Sequence, residues 1–183
     1  VTTALTKELI TKNVAIIEHL ASINALLGRS LASDELLVKE IVRDEGYREK
    51  AYKDSLGNWT IGVGHFLGAT TRMSVLTARE IYALLDADIA VAKDIVTNLF
   101  PTLDPNVEPV RYRVLVNMAF NMGQTTLAKF VRLIAAVAIS DWPGAVTSMH
   151  QSLWATQVGA RAVRLAKMMA TGVACWGNWL GGG

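Results

Sequence analysis

The chain has 183 residues, a net charge of +2, and 51% hydrophobic against 19% charged side chains, which excludes intrinsic disorder and fits one domain with, at most, a small extension. Cys175 is the only cysteine and the three histidines, His19, His65 and His150, lack metal-ligand spacing, so no disulfide, metal or other cofactor is expected, and the thiol reads as a small buried hydrophobe. The charge is too small to argue for nucleic acid and suits an anionic polymer, while no apolar run approaches the ~20 residues of a membrane span and the N-terminus lacks a signal-peptide pattern.

In chain order, Leu9, Ile16, Leu20, Ile23 and Leu27 recur at helical spacing, which predicts an amphipathic helix over 5–27 that Gly28 stops. Ser33-Asp34-Glu35 reads as an N-cap followed by first-turn acids, opening a second helix with Leu36, Leu37, Ile41 and Val42 that ends at Asp44-Glu45-Gly46. The texture then changes: Tyr52, Trp59, Thr60, Ile61 and Val63, interrupted by Gly57-Asn58, predict a hairpin over 51–64. The helical period returns from Thr77 through Ile81, Leu84, Leu85, Ile89 and Val96 and stops near Phe100-Pro101. Further helices are expected over 110–121, 125–139, 141–152 and 160–171, the last closed by Gly172. The expected fold class is α+β, mainly helical, with one small sheet near the front of the chain. Residues 1–33 form an N-terminal extension and 34–183 the main domain.

The chemistry concentrates between Asp44 and His65. Glu45 lies at a helix C-terminus, where the negative end of the helix dipole disfavours a further negative charge. Asp54 lies on the hairpin and faces Glu45 from a different element, and Thr60 on the returning strand brings a hydroxyl to the same cleft. Two carboxyls across a cleft suit glycosidic bond cleavage: one protonates the leaving oxygen while the other activates water or attacks directly. On spacing alone, a solvated helix-end Glu and a turn Asp explain the same residues.

The exact residues go further. Glu45-Gly46, Tyr52-Lys53-Asp54, Gly57 and Thr60-Ile61-Gly62-Val63-Gly64-His65 closely resemble the active-site signature of the phage-type lysozymes, glycoside hydrolase family twenty-four. That pattern is a Glu, eight residues, an Asp, five residues and a Thr, matched here by Glu45, Asp54 and Thr60. Asn117-Met118-Ala119-Phe120-Asn121-Met122-Gly123 resembles the family's second motif, and Trp142, Trp154, Gln157, Arg161 and Thr171-Gly172 fall where such lysozymes carry similar residues. The resemblance implies a two-lobed fold whose lobes are joined by a long helix near 77–99. It also implies hydrolysis between N-acetylmuramic acid and N-acetylglucosamine of bacterial peptidoglycan with inversion, Glu45 as general acid, and Asp54 and Thr60 positioning the attacking water. Phe66, Phe120 and Ser148 fall at positions that contact glycan or peptide in similar enzymes. Leu133 and Leu153 depart from the pattern, standing where a polar contact residue and a basic residue occur. The histidine closing the motif pairs with an Asp on the long helix in similar enzymes, which implies a structural pair between His65 and Asp88, with Asp86 as competitor.

Some residues stay open at this stage. Arg48 serves either an ion pair in the cleft or the solvated surface, and Trp59 either sugar stacking or hairpin packing. The 5–27 helix packs on the domain or on a second copy, contacts the envelope, or links to a larger virion protein. The expected activity is that of an endolysin, a monomer made in the infected host's cytoplasm that reaches the peptidoglycan without stable membrane insertion. A virion-associated hydrolase, a lytic transglycosylase and an inactive wall-binding module are the rivals.

Overall fold

The computed structural model describes residues 33–54, 57–68 and 75–175. The amphipathic helix expected over 5–27, and most of the extension set at 1–33, lie outside them. The first described element, α1, is helical over 33–45. Ser33, expected as its cap, is already helical.

A three-stranded antiparallel sheet follows, β1 (Arg48–Lys53), β2 (Trp59–Gly62) and β3 (His65–Gly68), in that spatial order. The expected hairpin is its first two strands, with Tyr52 opposite Thr60. The third strand, only four residues long, carries no alternation long enough to announce itself. Thr60 faces Phe66 across β2 and β3. The turn between them passes through Gly62 and Gly64 at φ of 66° and 76°, a region that favours glycine.

Helix α2 (Ala78–Leu99) is the long helix the sequence predicts. Its N-terminus is a reciprocal capping box. The Glu80 amide donates to Thr77 Oγ1 at 3.3 Å, and the Thr77 amide donates to Glu80 Oε2 at 2.8 Å. Ile81, Leu85, Ile89, Ala92 and Val96 put one stripe into the core, and Pro101 follows the C-cap Phe100, whose amide bonds Val96. Hydrogen bonds from Thr77 hold the Glu80 carboxyl below its ordinary value of 4.5. Such a shift adds stability above the unfolded pKa that disappears as pH falls through the folded one. Thr77→Ala is therefore expected to lower the thermal midpoint by about 2–4 °C near pH 7, on the scale of a lost N-cap, and by clearly less at pH 3. An equal loss at both pH values, read by circular dichroism melts, would show that the Glu80 charge adds nothing to the cap.

The remaining chain forms α3 (Pro109–Leu127), α4 (Val131–Ala138), α5 (Trp142–His150), α6 (Leu153–Val158) and α7 (Ala160–Thr171). Two sequence expectations need correction. The helix expected over 110–121 runs on to Leu127 through a kink at Gly123 (φ 71°, ψ 172°). The single helix expected over 125–139 is divided at residues 128–130 between α3 and α4. Helix α7 matches its expectation: Gly172 is left-handed at φ 66°, and a Cβ there would meet the Arg111 guanidinium at 2.9 Å.

The core is one cluster that joins Leu37 and Ile41 of α1, Ile61 of the sheet, the α2 stripe, Leu115 and Met118 of α3, and Leu165 and Met169 of α7. Leu133, which the family pattern would make a ligand contact, is fully buried in this cluster and cannot reach a substrate. Trp154 is core as expected, with 5% of its surface exposed. Trp142 is half-buried, with the Arg111 guanidinium 4.2 Å from its ring centre. The fold is thus mainly helical with one small sheet, as expected of the α+β phage-lysozyme class. Among the described residues no helix is long and apolar enough to cross a membrane.

Candidate active site

Glu45 is the last residue of α1. Its nearest partners are polar. Arg161 of α7 donates from Nη1 to Glu45 Oε1 at 2.6 Å, and Asn121 Nδ2 of α3 lies 3.4 Å from the same oxygen. The other oxygen, Oε2, faces the β2–β3 turn, where a Cβ on Gly64 would stand 3.6 Å from it. The acid is therefore fixed between the sheet and the helical lobe, with one oxygen engaged and the other turned to the strand turn.

Arg161 is itself held rigidly. Its Nε donates to Asn117 Oδ1 at 2.9 Å, its Nη2 to the Asn117 carbonyl at 3.2 Å, and Asp44 Oδ2 lies 3.5 Å from Nε. Asp44 is almost fully buried and also accepts from Asn117 Nδ2 at 3.0 Å, Arg43 Nε at 3.1 Å and Arg164 Nη2. Desolvation by this burial lowers the Arg164 guanidinium from its ordinary value, and Asp44 opposes that shift. A buried cation anchored on several sides keeps a carboxyl in one orientation without requiring it to reorganise during a reaction.

The sheet positions the other candidates. Asp54 follows β1 in the hairpin turn. Its Oδ1 accepts the Asn58 amide at 2.8 Å, and Oδ2 lies 3.3 Å from Asn58 Nδ2. Asn58 thus holds both carboxylate oxygens and fixes the side chain that the family pattern makes the water holder. Thr60, in β2, is nearly buried at 6% exposure. His65 Nδ1 and Asp88 Oδ2 of α2 are 2.8 Å apart: the pair implied by the resemblance is present, with Asp88 rather than Asp86 as partner. It ties β3 to the long helix, away from Glu45 in the hydrogen-bond pattern.

Phe66 is largely exposed and Phe120 half-buried. Ser148 lines a groove of the helical lobe together with Asn121, so this candidate lies on the Glu45 side. Arg48 forms no cleft ion pair among the described residues. Its guanidinium lies 4.3 Å from the Tyr52 ring centre. Trp59 is half-buried with Lys53 Nζ 5.6 Å from its ring centre, an arrangement of hairpin packing. The sequence reading missed the immediate partners of Glu45. Arg161 and Asn121 were visible only as matches to family motifs, because no local period links residues 116 and 76 positions from Glu45. Among the described residues, no three His, Cys, Asp or Glu side chains gather as a metal site.

Comparison with known proteins agrees with this architecture. The phage lysozyme family model matches residues 42–167, which holds every element from the end of α1 into α7. The chain is 28% identical over 153 residues to a probable T4-type lysozyme 2 of Dictyostelium discoideum, covering 70% of this chain and 90% of that one. It is 31% identical over 155 residues to the pre-baseplate central spike protein Gp5 of Enterobacteria phage T4, covering 71% of this chain but 27% of that longer one. It is 35% identical over 97 residues to the endolysin of Salmonella phage P22, covering 50% of this chain and 63% of that one. With more than half its length matched by the family model and its fold and sheet–helix site in accord, the chain belongs to the phage lysozyme family and is a glycoside hydrolase.

Proposed function

We propose that this lysozyme hydrolyses the β-1,4 bond between N-acetylmuramic acid and N-acetylglucosamine in bacterial peptidoglycan, with inversion at the anomeric carbon. The observation that carries the reading is the Glu45 carboxyl, clamped through Oε1 by Arg161 and Asn121, with its second oxygen turned to the sheet that bears Asp54 and Thr60. Glu45 delivers a proton to the leaving glycosidic oxygen. Asp54, ionised and held by Asn58, takes a proton from water on the opposite face of the sugar, and the Thr60 hydroxyl orients that water. Arg161 and Asn121 are positioning residues: they aim the acid.

The protein acts as a monomer, is made in the host cytoplasm and lyses the host wall at the end of a phage cycle. Residues 1–33 form a separate extension that the chemistry does not need. A second reading, a hydrolase carried in the virion, draws support from the long spike protein of which this chain matches 27%. Mass spectrometry of purified phage particles distinguishes it.

Mass spectrometry of digested, purified peptidoglycan tests the chemistry. Reducing muramic ends are expected. Anhydromuramic ends would make the enzyme a transglycosylase, and absence of products would leave a wall-binding module. Early-time proton NMR is expected to show the inverted anomer, while retained configuration would recast Asp54 as a nucleophile.

A further inference from the structure

A groove of about 790 Å³ runs along the helical lobe between the α3–α4 turn and the α5–α6 turn. It adjoins the candidate acid. Asn121 and Trp154 both line it, Trp154 Nε1 donates to Asn121 Oδ1 at 2.9 Å, and Asn121 lies against Glu45. Its floor is aromatic, with Phe130 edge-on to Trp154 at 6.5 Å between ring centres. Its rim carries two apolar side chains left to solvent, Val131 at 69% and Leu153 at 83% exposure. Its charge is one-sided: Lys129 and Arg132 line it, and no Asp or Glu does. Both cations are exposed, and neither forms an ion pair among the described residues.

A glycan ring is neutral, so two cations facing an acid-free groove have no partner in a sugar. Peptidoglycan carries its negative charge on the short peptide attached to muramic acid, next to the bond to be cut, and that peptide mixes carboxylates with small apolar side chains. The groove offers the complement of both. Exposed cations are often merely solvated. Here they share a concave, aromatic-floored surface that is continuous with the reaction centre, which is where a stem peptide must lie.

We propose that Lys129 and Arg132 bind a free carboxylate of the substrate's stem peptide, with Val131 and Leu153 packing its apolar side chains. The enzyme thereby prefers acidic stems over amidated ones. This rests on the proposed peptidoglycan substrate and adds the chemical class of stem that the enzyme reads. The two residues determine specificity and take no part in proton transfer.

The test compares purified peptidoglycan with the same material after carbodiimide-mediated amidation of its stem carboxylates. The native enzyme is expected to show a kcat/KM about three- to thirtyfold higher on the carboxylate form, as two exposed ionic contacts would give. The difference should lie in KM and shrink at high salt. In Lys129→Gln/Arg132→Gln the ratio between the two substrates should fall towards one. A native ratio of one, or a variant ratio equal to the native one, overturns the groove assignment while leaving the glycosidase reading intact. Binding of soluble glycan fragments with free or amidated stems to the Glu45→Gln protein, measured by calorimetry, reads the groove without turnover. The same ratio is expected there, and equal affinities overturn the assignment even if cleavage itself fails.

Discussion

Glu45→Gln lowers kcat on purified peptidoglycan by about 10²–10⁴-fold, the scale of lost general acid catalysis, while fold and wall binding persist. The amide keeps the shape of the carboxyl and can still offer a carbonyl oxygen to Arg161 Nη1 and Asn121 Nδ2, the two groups now on Oε1. What it loses is the proton that the leaving oxygen requires. Arg161 does not become an orphaned buried charge, because Asp44 lies 3.5 Å from its Nε and Asn117 accepts from it twice. Turnover by reducing-end release, alongside circular dichroism and wall pull-down, separates lost chemistry from lost structure. Near-native turnover would dismiss Glu45 as the acid, and loss of wall binding as well would assign it a structural role.

The second large effect falls on stability. Glu40 of α1 and Arg113 of α3 form an ion pair with 2% and 4% side-chain exposure, at 3.1 Å from Nε to Oε2 and 3.3 Å from Nη2 to Oε1. Both charges have left water, so their mutual attraction mainly offsets desolvation. Glu40→Leu strands the guanidinium in the core and is expected to cost about 3–5 kcal/mol. For a chain of this size that is a drop of about 6–20 °C in Tm. Glu40→Leu/Arg113→Met removes both charges and should recover most of the loss, because an apolar pair of similar volume has no charge to desolvate. A thermal melt in which the double variant is no better than Glu40→Leu would show that the pair itself, rather than the stranded charge, sets the stability.

What the sequence revealed tracks how local each signal is. Helix α2 was bounded correctly because Thr77, Glu80 and Pro101 mark its ends within a few residues, and Gly172 does the same for α7. The break between α3 and α4 was invisible because residues 128–130 are Ala, Lys and Phe, none of which interrupts a helix. The nearest breaker, Gly123, bends the chain instead of ending it. Strand β3 and helix α6, at four and six residues, are too short for a period to emerge. At the site, the spacing of Glu45, Asp54 and Thr60 was readable because they fall within one short stretch. The clamp on Glu45 was not, because Asn121 and Arg161 arrive from distant segments that only tertiary packing brings together.

The clamp also has a direction in time. The carboxyl, at the end of α1, is synthesised before the guanidinium that orients it, which is encoded 116 residues later, in α7. A nascent chain that has reached only Gly159 therefore contains the sheet and Glu45 but lacks the cation. Aiming the acid is thus deferred until the last described helix has been made and docked onto Asn117, which makes a complete helical lobe a condition of an ordered site.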